Sequence, residues 1–87
     1  MKPDKMTSIM VDIQLAESAL MHMEQRGENA GVYKKKVFEL VFEKHQTTRE
    51  KFDSSLSYYS LNNLQQLDAI YAEVITQLSQ KQSLINQ

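Results

Sequence analysis

Two carboxylates stand where a helical core would place apolar side chains. At about 100° per residue, Asp12 falls inside the apolar arc of a first helix, between Met23 and Ala19, and Glu17 falls on its other flank, between Met6 and Met10. Burying an unpaired carboxylate is costly. Each must therefore lie at the core edge, hold its proton to higher pH, or accept hydrogen bonds. Donors exist: Ser55 lies on the inward flank of a third helix, and Tyr59 and Tyr71 lie on apolar stripes with hydroxyls able to donate. The expectation is a buried polar network of Asp12, Glu17, Ser55, Tyr59 and Tyr71 that fixes helix register, with a ligand pocket on the same groups as the alternative.

Acid–base catalysis by the two carboxylates is not expected. They diverge by about 140° around one helix and cannot converge on one bond. His22 points to the polar side of the first helix. His45 sits at a helix C-terminus, where the dipole favours a charged imidazole, and both read as surface residues. The sequence carries no H-x-x-x-H pair, glycine-rich phosphate loop or G-x-S-x-G elbow. With no cysteine there is neither a thiolate metal site nor a thiol nucleophile, so no enzyme activity, metal or cofactor is expected. The run Lys34-Lys35-Lys36 has Glu39 and Glu43 within two turns, and the net charge is −1; the run reads as a solvated face and nucleic acid is not an expected partner.

Binding is the chemistry that remains. All five methionines lie in the first helix, where Met10 and Met21 share an edge that could accept varied apolar partners or fill gaps in the core. Phe38 and Phe42 form an i,i+4 pair, and Tyr58 projects about 100° away from its neighbour Tyr59, so the three aromatics could line a groove or pack two helices together. Met10, Met21, Phe38, Phe42 and Tyr58 form the candidate partner surface, with protein or peptide as the expected partner; nothing in the pattern sets an oligomeric state.

These residues must be positioned by helices. Only two glycines and one proline punctuate 87 residues, too few for a turn-rich sheet protein, and the length suits a single domain over 1–87. The expected fold is all-α, a compact bundle of four helices at about 4–25, 32–45, 48–59 and 63–84, with the second and third short. Asp4 is the expected N-cap of the first, whose stripe is Met6, Ile9, Ile13, Ala16, Leu20 and Met23. The second helix shows Tyr33, Val37, Leu40 and Val41 on one face and Phe38 and Phe42 on another, and so should pack on two sides. Thr47 with Glu50, and Asn62 with Gln65, read as capping boxes that start the third and fourth. The third presents Phe52, Leu56 and Tyr59. The fourth presents Leu64, Leu67, Tyr71, Val74 and Leu78, flanked by Ile70 and Ile75, and the polar tail from Gln80 to Gln87 should fray or extend past the bundle.

Apolar runs are short, as in Leu40-Val41-Phe42, against the roughly 18 to 20 residues that cross a bilayer, and residues 1–5 lead into polar helix without a secretory signal core. Neither a membrane-spanning segment nor a targeting signal is expected in the chain as given.

Asp12-Ile13-Gln14-Leu15-Ala16-Glu17-Ser18, Phe52-Asp53-Ser54-Ser55-Leu56-Ser57-Tyr58-Tyr59 and Ile70-Tyr71 resemble, in order and spacing, a family of small bacterial envelope lipoproteins catalogued as domain of unknown function 4296. Its members look like an acylated cysteine followed by a D-x-x-L-A-E-A start, a helix ending in a Lys-His-Gly-like turn, an F-x-x-S-x-x-Y-Y segment and an I-Y-x-x-V helix. Here Glu43-Lys44-His45-Gln46 stands at the turn, Leu61-Asn62-Asn63 replaces an Asn-Pro step, and the lipid-accepting cysteine is lacking. The resemblance implies a helical fold, a place in the cell envelope and a lipid anchor in a full-length precursor, but no reaction. The expected function is a noncatalytic binding or assembly module of the envelope. The alternative is a chaperone-like binder of extended or unfolded peptides, suggested by the methionine edge and by the likeness of Thr47–Phe52 to the starts of periplasmic chaperone helices.

Overall fold

Local chemistry at the helix ends sets where the four helices start and stop. The computed structural model describes residues 1–85, with side chains for residues 1–81. It contains α1 (Pro3–Gln25), α2 (Ala30–Lys44), α3 (Arg49–Asn62) and α4 (Leu64–Ile85), with no strand among the described residues. The fold is the expected all-α bundle of four helices. α4 continues through the polar tail as far as Ile85, and only Asn86 and Gln87 of that expectation lie outside the described residues.

α1 begins one residue earlier than expected. Pro3 takes the first helical position, where a missing N–H is harmless, so Lys2 and not Asp4 is the capping residue, and Asp4 lies in the first turn near the positive end of the dipole. Buried Thr7 donates from Oγ1 to the Pro3 carbonyl at 3.0 Å, which satisfies its hydroxyl.

α1 and α2 end in the same motif. At the end of α1 the Gly27 amide donates to Glu24 O and the Glu28 amide to Met23 O. At the end of α2 the Gln46 amide donates to Glu43 O and the Thr47 amide to Phe42 O. This paired pattern needs one residue in the left-handed region. Gly27 supplies it at φ 81°, whereas Gln46, which has a side chain, is held at φ 55°.

The next two helices start one residue later than the capping-box spacings imply. Thr48, not Thr47, caps α3, its hydroxyl accepting from the Lys51 amide at 3.3 Å. Asn63, not Asn62, caps α4, its Oδ1 accepting from the Gln66 amide at 3.2 Å. Asn62 instead donates back to the Tyr58 carbonyl. In each case two adjacent residues were competent caps, and the second makes the capping bond.

The core is one cluster containing Met6, Ile9 and Val11 of α1, Phe42 of α2, Phe52 and Tyr59 of α3, and Leu67, Ile70 and Val74 of α4, with Ile13, Leu56 and Leu78 packed against it. The α3 stripe is as expected. On α4 the buried face is rotated: Ile70 is buried while Leu64, Tyr71 and Ile75 are exposed. α2 buries Phe42 most deeply; on its other face Val37 and Val41 are half-buried while Tyr33 and Leu40 are exposed, so the expected two-sided packing forms only in part. α1 packs on both α2 and α4, and α3 packs on α4. α2 and α3 meet through Phe42 and Phe52, whose ring centroids lie 5.8 Å apart at a 46° tilt. The molecule measures 42 × 32 × 20 Å, two helix diameters deep.

The two matching helix ends give opposite expectations. Gln46→Gly should raise stability by about 0.5–1 kcal/mol, because relief of left-handed strain outweighs the greater freedom of glycine in the unfolded chain. Gly27→Ala should lower stability by about 1 kcal/mol although nothing lies within 4 Å of the added methyl. Urea unfolding midpoints of the two variants check both signs.

Candidate functional site

α1 and α2 run antiparallel, which brings the middle of one beside the end of the other. Asp12 there meets the last residues of α2. Its Oδ2 lies 2.6 Å from His45 Nε2 and accepts from Lys44 Nζ at 3.0 Å. The His45 side chain is 14% exposed and that of Asp12 17%, so the histidine is not the surface residue that its place at a helix terminus suggested. Burial alone would raise the Asp12 carboxyl, but hydrogen bonds from His45 and Lys44, reinforced by their charges, hold it below the ordinary carboxylate value. Lys44 is largely exposed, so the inner half of this cluster is the Asp12–His45 contact.

The other members of the expected five-residue network lie elsewhere. Tyr59 is buried and donates from its hydroxyl to the Met1 carbonyl at 2.7 Å, tying α3 to the start of α1. Ser55 is half-buried beside an open, polar hollow shared with Met1, Lys5 and Thr47. Glu17 is exposed, and Tyr71 is exposed because α4 buries a different face. The network is corrected accordingly: Asp12 does accept hydrogen bonds, but from Lys44 and His45. No buried side-chain polar atom lacks a partner among the described residues.

The candidate partner surface divides in the same way. Phe42 is buried and belongs to the core, and Met10 is half-buried against it. Tyr58 is exposed, standing edge-on to Tyr59 with centroids 6.0 Å apart, and Met21 is exposed on α1 beside Leu20 and Glu24. The expected groove combining Tyr58 with the phenylalanines does not form. Phe38 does open onto a groove, of another kind. Along α2, and closed at one side by Arg49 at the start of α3, a cleft of about 480 Å³ has Phe38 and Phe42 as its floor, and Lys34, Lys35, Glu39 and Arg49 around its rim. Its lining is mainly apolar. Arg49 makes a loose 3.8 Å pair with Asp53 one turn on, while Lys34 and Lys35 make no ion pair among the described residues.

Sequence reasoning missed both the Asp12–His45 contact and the cleft. The contact had a signal: Asp12 and the Lys44-His45 turn are both parts of the segments that carry the family resemblance. The cleft had none, because it depends on the angle between two helices. Among the described residues no group of three or more histidine, aspartate or glutamate side chains is placed to hold a metal, and no helix is long and apolar enough to cross a membrane.

A family model described as a domain of unknown function, DUF4296, matches residues 1–83. The chain belongs to the DUF4296 family. No curated protein and no solved structure matches it. The match spans all four helices of this DUF4296 domain, including the Asp12 cluster and the cleft.

A depressed carboxyl has a defined effect on stability. It adds stability above the unfolded aspartate pKa of about 3.9, and that stability is lost as pH falls through the lower folded value. Asp12→Asn should therefore destabilise this DUF4296 domain by about 1–2 kcal/mol at pH 7, discounted for the exposure of Lys44. The gap to the wild type should narrow below about pH 4. Thermal melts of both proteins across that range check it.

Proposed function

We propose that the chain is a noncatalytic helical binding module of the bacterial cell envelope that holds a protein or peptide partner. The observation that carries this reading is the apolar cleft along α2 at the start of α3, which half-buried Phe38 and the core residue Phe42 line. Concave apolar surface rimmed by a few polar groups is the usual form of a binding site. The electrostatics agree: the one strongly placed carboxylate, Asp12, is held charged by two partners of its own, as in a structural clamp, whereas a general base is usually kept near its working pH. The envelope assignment rests on the resemblance to envelope lipoproteins and includes a lipid anchor in a longer precursor.

A second reading, the chaperone-like binder, is favoured by the spread of exposed apolar side chains. Val32, Leu40, Leu61, Leu64 and Ile75 are each about half exposed or more, and they lie on α2, α3 and α4 outside the cleft. Such scattered surface would hold many unfolded clients weakly.

One experiment separates the readings. Cross-linked pull-downs from envelope membranes would compare the wild type with a Phe38→Ser variant whose helicity and melting temperature are first shown to be retained. A binding module should enrich a small set of proteins that the variant loses. A broad set recovered equally by both baits would favour the chaperone reading, and no enrichment by either would contradict both.

A further inference from the structure

The partner-binding reading leaves the chemistry of the partner open, and the cleft itself restricts it. We infer that the α2–α3 cleft takes an acidic amphipathic α-helix of about three turns, contributed by a partner protein. The inference rests on the partner-binding reading and adds the partner's conformation and charge.

The conformation follows from the lining. Six of its seven residues lie along α2 and the seventh, Arg49, opens α3; no strand edge lies among the described residues, so the cleft offers mainly side chains for an occupant to rest on. An extended peptide would leave its own N–H and C=O groups unpaired against an apolar floor, whereas a helix brings them already satisfied. The lining runs along α2 from Gly31 to Phe42, about 16 Å at 1.5 Å per residue, which is three turns of an occupant lying alongside. Apolar residues at i, i+3 or i+4 and i+7 of that occupant would rest on Phe38 and Phe42.

The charge follows from the rim. Lys34 and Lys35 stand on the α2 side and Arg49 on the α3 side, against the single carboxylate of Glu39. Neither lysine is used in an ion pair among the described residues, and Arg49 is held only by its loose, exposed contact with Asp53. Glu17, Glu24 and Asp53 line neighbouring hollows that share Lys34 and Phe38 with the cleft. The cleft's own rim carries three cations against one carboxylate, and a helix with glutamates flanking its apolar stripe would set them against Lys35 and Arg49.

The test uses the whole folded chain and three fluorescent peptides: leucines at helical spacing flanked by glutamates, the same leucines flanked by lysines, and the glutamate peptide with its leucine order scrambled. Anisotropy titration should show the acidic amphipathic peptide binding at least about tenfold more tightly than the other two. Its affinity should fall with salt. In a Lys35→Glu and Arg49→Glu double variant, at exposed positions that leave the fold intact, the preference should reverse toward the lysine peptide. Equal binding of the acidic and basic peptides would overturn the charge assignment while leaving partner binding standing. Binding of the scrambled peptide as well would overturn the helical occupant, and displacement of the acidic peptide by decanoate at similar affinity would make the cleft a site for small amphiphiles instead. No peptide binding, together with no partner lost by Phe38→Ser, would sink both this inference and the reading it rests on.

Discussion

The contact between Phe42 and Phe52 ties the end of α2 to the start of α3. α1 packs on both α2 and α4, α3 packs on α4, and the ring contact closes the remaining side of the bundle near the α2–α3 turn. Both rings are placed by the turn itself. Phe42 supplies the carbonyl that closes the end of α2 through the Thr47 amide, and Phe52 follows one turn after the Thr48 cap of α3. Offset or tilted ring pairs at this spacing are favoured beyond the area they bury. Phe42 also lines the cleft, so one of the two rings of this contact forms part of the cleft floor.

The Asp12 cluster plays a matching part at the α1–α2 seam. Charged groups at the edge of a small core are tolerated when each is paired, and here a carboxylate, an imidazole and an ammonium satisfy one another at the end of α2. The hydrogen-bonded α2 terminus then leads directly into the strained Gln46 turn and the α3 cap. Seam, turn and ring contact thus occupy a stretch of about ten residues, and any partner in the cleft would bear on that stretch.

Much of this was legible from residue types and some was not, for physical reasons. The four helices follow from glycine and proline placement and from apolar spacing, and the α3 stripe of Phe52, Leu56 and Tyr59 admits only one phase. α4 admits two, because Leu64, Leu67, Ile70, Tyr71, Val74 and Ile75 satisfy three-four spacing on overlapping faces; only packing against α1 and α3 selects Leu67, Ile70 and Val74. Caps were read one residue early at Thr47 and Asn62 because an equally competent residue follows each. Asp12 was legible as an inward carboxylate, but its partners lie 32 and 33 residues away, a distance across which no local rule operates. The cleft depends on an interhelical angle, which periodicity does not encode.

A double-mutant cycle on the ring contact tests the account most directly. Phe42→Leu, Phe52→Leu and the double variant keep the apolar bulk near that of the wild type while removing one ring, the other or both, and urea unfolding gives the stability of each. The account predicts a favourable coupling of about 0.5–1.5 kcal/mol between the two positions. Strictly additive losses would contradict it, because they would mean that the two rings contribute nothing jointly to holding α2 against α3.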